Sequence, residues 1–118
     1  MKSLHPKERL ASFGHSVRGI RSFVRSEPNA KIHLLATVLV IAAGFVRHLS
    51  LPKWAAIAGA IGLVWVAEML NTAIEVLCDY ACKGEIHPAI KLAKDIASGA
   101  VLMAAIAAVI IGAAVFLG

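Results

Sequence analysis

Two carboxylates and an amide stand in an otherwise apolar stretch of this 118-residue chain. They are Glu68, Asn71 and Glu75, in the segment Glu-Met-Leu-Asn-Thr-Ala-Ile-Glu. Their i, i+3, i+7 spacing places all three on one face of an α-helix, with about two turns between the carboxylates. Ionisable groups in a hydrophobic helix are costly unless they are paired or functional. We therefore expect the chemistry of the protein on this face.

The two carboxylates suit different tasks. If this helix runs toward the cytoplasm, Glu75 lies near the membrane boundary and Glu68 lies deeper, where a partly desolvated carboxylate can act as a general base. Glu75 can hold a hard divalent cation, and Glu27, at the start of an earlier helix, can supply a second oxygen. Two carboxylates completed by substrate phosphates are a common Mg²⁺ site. The alternative is that Glu68 and Glu75 only hydrogen-bond to neighbouring helices.

A group of charged residues follows the second apolar stretch. Residues 87–88, His-Pro, predict a turn and the start of a helix that carries Lys91, Lys94 and Asp95. A lysine in the headgroup layer can pair with phosphate oxygens, and Asp95 beside Lys94 can orient it or accept a hydrogen bond from a nucleotide hydroxyl. The alternative is that both lysines only extend toward the membrane surface, which we prefer for Lys91.

Composition predicts the fold class. Hydrophobic residues make up 59% of the chain and charged residues only 16%, well outside the range of soluble domains. Three apolar stretches, at about 30–50, 54–78 and 89–117, are long enough to cross a bilayer, which takes ~20 helical residues. Open sheets do not span lipid, and no alternating pattern indicates a barrel. We expect an all-α integral membrane protein with three transmembrane helices.

An amphipathic helix is expected before the first span, over residues 8–25. Its apolar residues recur at spacings of three and four, opposite a face of arginines, as in helices that lie in the membrane interface. The apolar residues are Leu10, Phe13, Val17, Ile20 and Val24. The alternative is a disordered basic tail.

The distribution of positive charge predicts the orientation. Residues 1–31 contain seven Lys and Arg and residues 78–95 contain three, which is ten of the twelve in the chain. By the positive-inside rule both segments are cytoplasmic, while residues 46–53 and the C-terminus face outward. The net charge of +5 then attracts anionic lipid. We expect no nucleic-acid partner, because no soluble domain is available to present a basic surface.

The third span carries one small residue per turn on one face, which favours close helix packing. These residues are Ala100, Ala104, Ala108 and Gly112. Because three thin helices enclose little space for a site, we expect a homo-oligomer with sites between subunits.

Two motifs carry a resemblance. The segment 68–75 described above, followed by Lys-Asp-Ile-Ala-Ser-Gly-Ala-Val-Leu from residue 94, strongly resembles the bacterial integral-membrane diacylglycerol kinase family, which includes the undecaprenol kinases. The resemblance covers nearly the whole chain and implies a homotrimer of three-span subunits. It implies a single lipid-kinase domain over residues 1–118 in the bacterial plasma membrane. Such an enzyme transfers the γ-phosphate of Mg-ATP to a lipid alcohol at the cytoplasmic interface.

The same resemblance implies roles for individual residues. Glu68 corresponds to the proton acceptor on the lipid hydroxyl, and Glu27 and Glu75 correspond to the metal-binding acids. Ser98 corresponds to a position on the lipid side. The remaining residues correspond to positions around the nucleotide: Asn71, Glu85, Ile86, His87, Lys94 and Asp95. Residues 27–33 resemble the undecaprenol kinase branch more than the diacylglycerol branch, so undecaprenol is the favoured acceptor.

Two rival functions come from other classes. One is a small proton-coupled transporter with Glu68 as the carrier carboxylate; the other is a non-catalytic subunit of a membrane assembly. Transport sites tend to lie near the bilayer midplane at broken helices. Here the acids cluster toward one side with a lysine, and no proline interrupts the second span. Cys78 and Cys82, at the cytoplasmic end of the second span, are expected to be reduced thiols. The alternative is a zinc site with His87, although the usual paired cysteine spacing is absent.

Overall fold

The computed structural model describes residues 5–118, which contain four α-helices. These are α1 (Pro6–Ser26), α2 (Pro28–Val46), α3 (Leu51–Cys82) and α4 (Pro88–Leu117). Each of the four prolines of the chain occupies the first or second position of one helix. Proline is tolerated there because the first amide groups of a helix have no intrahelical acceptor and the ring fixes a helical φ. The prolines therefore mark all four helix starts.

Left-handed residues end two of the helices. His48, after α2, has φ 50°, and Lys83, after α3, has φ 48° and is followed by Gly84 at φ 85°. A residue in this conformation commonly terminates a helix. The resulting connections, residues 47–50 and 83–87, are short. Short connections join helices that pack side by side in opposite directions.

Three of the four helices, α2, α3 and α4, are long and apolar enough to cross a membrane. Many of their large apolar side chains are exposed in the single chain, among them Leu102, Met103 and Val109 on α4. Surfaces of this kind face lipid or another subunit rather than water. The expected all-helical architecture is confirmed, with an N-terminal helix before three helices that are long and apolar enough to cross a membrane.

The chain forms two compact units, residues 1–35 and residues 36–118. In the first unit, α1 exposes its apolar stripe, while Phe23 near its end is buried. The ammonium of Lys31 donates to the carbonyl oxygen of Arg25 at 3.2 Å. A cation on the last carbonyls of a helix satisfies acceptors that have no intrahelical donor.

In the second unit, α3 and α4 pack antiparallel. Ala60 on α3 and Ala97 and Ala104 on α4 are buried, and an apolar groove of about 880 Å³ runs along both helices. The small side chains let the two helix backbones approach closely. Of the small-residue face expected on the third span, Ala104 is buried and Ala100 lines the groove.

Three contacts attach α2 and the turn that follows it to α3 and α4. Within the apolar region, the indole Nε1 of Trp65 donates to the hydroxyl of Thr37 at 2.9 Å. The rings of Phe45 and Trp54 lie 4.9 Å apart and are tilted by 53°. Arg47 donates from Nη2 to the carbonyl oxygen of Phe116 at 3.0 Å. The 47–50 turn and the end of α4 therefore lie at one end of this unit, and the 83–87 loop lies at the other.

Replacing Gly44 by alanine tests the packing of α2 against α3. A Cβ at Gly44 would lie 2.5 Å from Cη2 of Trp54, so the ring would have to move. Overpacking of this kind costs roughly 1–3 kcal/mol. We expect Gly44→Ala to lower the free energy of unfolding by that amount, measured by denaturant titration in detergent micelles.

The matched control is Gly59→Ala on α3, where a Cβ would have no neighbour within 4 Å. Alanine has the higher helix propensity, so this variant should be as stable as the parent or slightly more stable. Equal free energies of unfolding for the two variants would show that the Trp54 ring does not pack closely against Gly44.

Candidate functional site

The first element of the site is a buried carboxylate. Glu68 lies within α3 and is 8% exposed, the one buried polar or charged side chain in residues 5–118. A carboxylate in such surroundings gives up most of its hydration, and a protein tolerates that cost at positions that serve a function. Glu68 therefore has the environment expected of a general base shielded from bulk water.

Asn71 and Glu75 form a pair on the next turn. The amide nitrogen of Asn71 donates to Oε1 of Glu75 at 3.1 Å. The amide oxygen of Asn71 is buried, and no residue of the described chain donates to it. A buried acceptor without a donor destabilises a protein by about 1–3 kcal/mol. The amide thus orients the Glu75 carboxylate and presents a second oxygen beside it.

This pair has the chemistry of a magnesium site. Mg²⁺ prefers hard oxygen ligands, and it is usually held by one or two carboxylates together with phosphate and water oxygens. The Glu75 carboxylate and the unpartnered oxygen of Asn71 fit that description. No group of three or more His, Cys, Asp and Glu side chains is placed to hold a metal within residues 5–118. A site completed by phosphates does not need such a group.

Asn71 also borders the apolar groove between α3 and α4. Every other residue that lines the groove is apolar, including Leu70 and Ile74 on α3 and Ile96 on α4. The groove can accept a hydrocarbon chain along most of its length. A molecule there with a polar end would place that end nearest to Asn71.

The polar face of α3 continues to Asp79, a residue absent from the expected site. Its Oδ1 accepts from the ammonium of Lys94 on α4 at 2.7 Å. Asp79 follows Glu75 by four residues, so it extends the face that holds Glu68 and Asn71 by one further turn. The i+4 continuation of the stripe was the signal that could have identified it. The pair places the lysine on the acidic face of α3.

Asp95 does not orient Lys94, so the first of its two expected roles is wrong, while its contact with a nucleotide hydroxyl stays a prediction. Its Oδ2 accepts instead from the ammonium of Lys91 at 2.8 Å, and both side chains are exposed. Neighbouring residues on a helix point in different directions, whereas residues four apart share a face. Lys91, expected only to extend toward the membrane surface, is held in an ion pair of the kind that contributes little to stability.

The remaining expected residues lie as follows. The 83–87 loop exposes three of them, Glu85, Ile86 and His87, at the end of the hairpin that carries Lys94. Ser98 is exposed on α4, one turn after Lys94. Glu27 belongs to the first unit, where it ends α1 in an extended conformation and donates its backbone N–H to Phe23 at 3.1 Å. The meeting of Glu27 with Glu75 stays a prediction.

Comparisons with known proteins agree with these features. Residues 14–116 match the family model described as prokaryotic diacylglycerol kinase. The chain is 42% identical to the undecaprenol kinase of Bacillus subtilis over 106 aligned residues. The alignment covers 90% of this chain and 85% of that protein. The chain is 40% identical to the diacylglycerol kinase of Synechocystis over 108 aligned residues, and this alignment covers 92% of the chain.

The chain spans 62% of the length of the Synechocystis relative. The family match and both relatives confirm the resemblance that the two motifs indicate, and they give no support to the transporter alternative. This chain belongs to the prokaryotic diacylglycerol kinase family and is therefore a member of a family of membrane lipid kinases.

Proposed function

We propose that the chain transfers the γ-phosphate of Mg-ATP to the hydroxyl of a membrane lipid alcohol, with undecaprenol favoured over diacylglycerol. The observation that carries the proposal is the polar face of α3. Along it, buried Glu68 is followed by the Asn71–Glu75 pair and then by exposed Asp79, which holds Lys94. This order suits a lipid hydroxyl at the buried end and a nucleotide at the exposed end. The Bacillus relative, named an undecaprenol kinase, supports that acceptor.

Glu68 acts as the general base. Its carboxylate takes the proton from the lipid hydroxyl as the hydroxyl oxygen attacks the γ-phosphorus. A positioned base of this type typically contributes 10²–10⁴-fold to a rate. Burial of Glu68 excludes water, which would otherwise compete with the lipid alcohol for the phosphoryl group.

Glu75 and Glu27 hold the magnesium ion, and Asn71 keeps the Glu75 carboxylate in place. When bound, Mg²⁺ neutralises the negative charge of the phosphates, which is the main requirement of phosphoryl transfer. The buried amide oxygen of Asn71, which has no donor within the described chain, supports a metal site here, since a cation beside Glu75 would give that oxygen a partner.

Lys94 binds the phosphates of the nucleotide. Its ammonium forms an exposed ion pair with Asp79, and a more highly charged phosphate can displace that carboxylate. The nucleotide also contacts Asp95 and the loop residues Glu85, Ile86 and His87. Ser98 lies toward the lipid, and the hydrocarbon tail occupies the groove between α3 and α4.

The whole chain, residues 1–118, works as one lipid-kinase domain in a homotrimer with its sites between subunits. The exposed apolar faces of α2, α3 and α4 support association within the bilayer. The N-terminus and the 83–87 loop lie on the cytoplasmic side of the bacterial plasma membrane, as the concentration of Lys and Arg in those regions favours. ATP is available on that side.

The acceptor and the base are tested together. Purified chain in detergent micelles is given labelled ATP, Mg²⁺ and either undecaprenol or diacylglycerol. We expect transfer of label to lipid, faster with undecaprenol. Glu68→Gln should reduce the rate by about 10² or more, because the amide cannot accept the proton. Met69→Leu, a volume-conserving change at the same depth of α3, serves as the control and should retain activity.

If neither lipid is labelled, the kinase proposal itself is refuted. Normal transfer by Glu68→Gln would leave the kinase proposal standing but remove Glu68 from its role as base.

The metal assignment is tested by titrating Mg²⁺ at saturating ATP. Glu75→Gln weakens ligation, so we expect the Mg²⁺ concentration for half-maximal rate to rise by roughly tenfold or more, as for a loss of about 1.4 kcal/mol of binding. Asp79→Asn removes a carboxylate one turn away that is not proposed to touch the metal. It should leave the Mg²⁺ requirement unchanged even if its rate differs. Equal Mg²⁺ curves for Glu75→Gln and the parent would exclude ligation by Glu75.

Asn71→Leu separates function from stability. Leucine has a similar volume and removes the buried acceptor that lacks a donor, so the free energy of unfolding should stay constant or rise by up to about 1–3 kcal/mol. The kinase rate should nevertheless fall, because Glu75 loses its amide donor. Ile74→Leu, which also lines the groove, is the control for packing. A large loss of stability in Asn71→Leu would mean that the amide serves the fold instead.

A further inference from the structure

A second apolar groove, between α2 and α3, takes no part in the proposed reaction. Its volume is about 580 Å³. All of its lining residues are apolar or aromatic, and they include Ile41, Phe45, Trp54, Ile57 and Ile61. None of its lining residues borders the groove between α3 and α4. The two grooves therefore lie on different faces of α3.

The position and length of this groove match one leaflet of a bilayer. It begins at the Phe45 and Trp54 rings, which lie 4.9 Å apart beside the 47–50 turn. Its α3 side runs from Trp54 to Gly62, which at 1.5 Å per residue is about 12 Å. The hydrocarbon of one leaflet is about 15 Å deep, half of a ~30 Å core. A single acyl chain parallel to the helices would fill the groove.

Two basic side chains lie at the mouth of the groove. The backbone N–H of His48 donates to the carbonyl oxygen of Phe45 at 3.2 Å, which places His48 beside a groove residue of α2. Lys53 has i, i+4 and i+8 spacing with Ile57 and Ile61, so it continues the groove-lining face of α3 by one turn. Both residues therefore lie where the headgroup of a lipid in the groove would lie.

Acidic side chains do not balance the charge at this end. Arg47 adds a second permanent cation, and its hydrogen bond from Nη2 to the carbonyl oxygen of Phe116 keeps the guanidinium at this end of the unit. Residues 28–67 and 96–118 contain no Asp or Glu. These ranges include the end of α2, the 47–50 turn, the first half of α3 and the end of α4. The mouth of the groove thus carries two permanent positive charges and no carboxylate side chain.

These charges select the occupant of the groove. The phosphate diester of a phospholipid carries one negative charge, and basic side chains at a membrane surface attract anionic lipid. A zwitterionic headgroup also carries an ammonium, which would find no carboxylate side chain at this end. A second copy of the chain in the same orientation would bring its own Arg47 and Lys53 to the same depth, where like charges repel. An anionic phospholipid is therefore favoured over both.

We propose that the groove between α2 and α3 binds one acyl chain of an anionic phospholipid, whose phosphate lies at Lys53, His48 and Arg47. The two permanent cations attract the phosphate, and the apolar walls bury the acyl chain. The site lies at the end of the unit opposite the Asp79–Lys94 pair, so this lipid is not the phosphoryl acceptor. The proposal does not depend on the kinase reaction.

The two tryptophans of the chain provide the probe. Trp54 lines the groove and Trp65 does not, so Trp65→Phe leaves one fluorescent reporter in the site and Trp54→Phe leaves one outside it. Each variant is reconstituted as the full chain into vesicles of phosphatidylcholine with a minor fraction of phosphatidylglycerol. Two vesicle types have the same composition and differ only in which headgroup class carries bromine on its acyl chain. Bromine quenches an indole that it contacts, so the loss of fluorescence measures occupancy.

We expect Trp54 to prefer brominated phosphatidylglycerol over brominated phosphatidylcholine by about fivefold or more in relative affinity, as for a basic side chain near an anionic headgroup. Trp65 should show no such preference. In the Trp65→Phe chain, Lys53→Gln should lower the preference by about fivefold. Lys91→Gln is the matched control, since it removes an exposed lysine on α4, and it should leave the preference unchanged.

Equal quenching of Trp54 by the two lipids would overturn the proposal, and so would a preference that Lys53→Gln leaves intact. An equal preference at Trp65 would indicate a general attraction of anionic lipid to the basic chain, without a site in the groove. If neither lipid quenches Trp54, protein covers the groove and the proposal is wrong. Because nucleotide and acceptor are absent from the assay, failure of the kinase reaction would not be mistaken for failure of this site.

Discussion

The burial of a carboxylate inside an apolar helix is the constraint on which the rest of the site depends. Glu68 sits on α3 at a depth where water is scarce, and the same face then carries Asn71, Glu75 and Asp79 toward the exposed end of the helix. An ionised side chain has a high free-energy cost at the buried end of this face and a low cost at the exposed end. The face thus provides a route along which a lipid hydroxyl and a phosphate can approach each other from different phases.

The length of α3 allows one polar face to run from a buried end to an exposed end. At 32 residues it exceeds the ~20 that cross the hydrocarbon core, so its last turns can extend into the headgroup layer. The Trp65–Thr37 hydrogen bond and the close approach of Trp54 to Gly44 attach it to α2. Packing against α4 then sets its rotation, which determines that Asp79 reaches Lys94. A rigid helix pair positions the side chains more precisely than loops would.

Much of the fold follows from the sequence, because span length, apolar composition and proline placement all act locally. The expected second span, 54–78, is shorter than α3 because the apolar pattern stops before Asp79, while the helix continues until Lys83 turns left-handed. The partner of Lys94 was not predictable, since it depends on how α3 and α4 face each other. The partner of Asp95 was predictable, because i, i+4 pairing to Lys91 is a rule of one helix.

The most direct test of the account is a carboxylate nuclear magnetic resonance spectrum of the chain labelled with ¹³C at its glutamate side chains. The labelled chain, in micelles with a non-hydrolysable ATP analogue, is compared with diamagnetic Mg²⁺ and with paramagnetic Mn²⁺. The account predicts that Mn²⁺ broadens the signals of Glu75 and Glu27 most and that of Glu68 less. A sharp Glu75 signal in the presence of bound Mn²⁺ and nucleotide would contradict it.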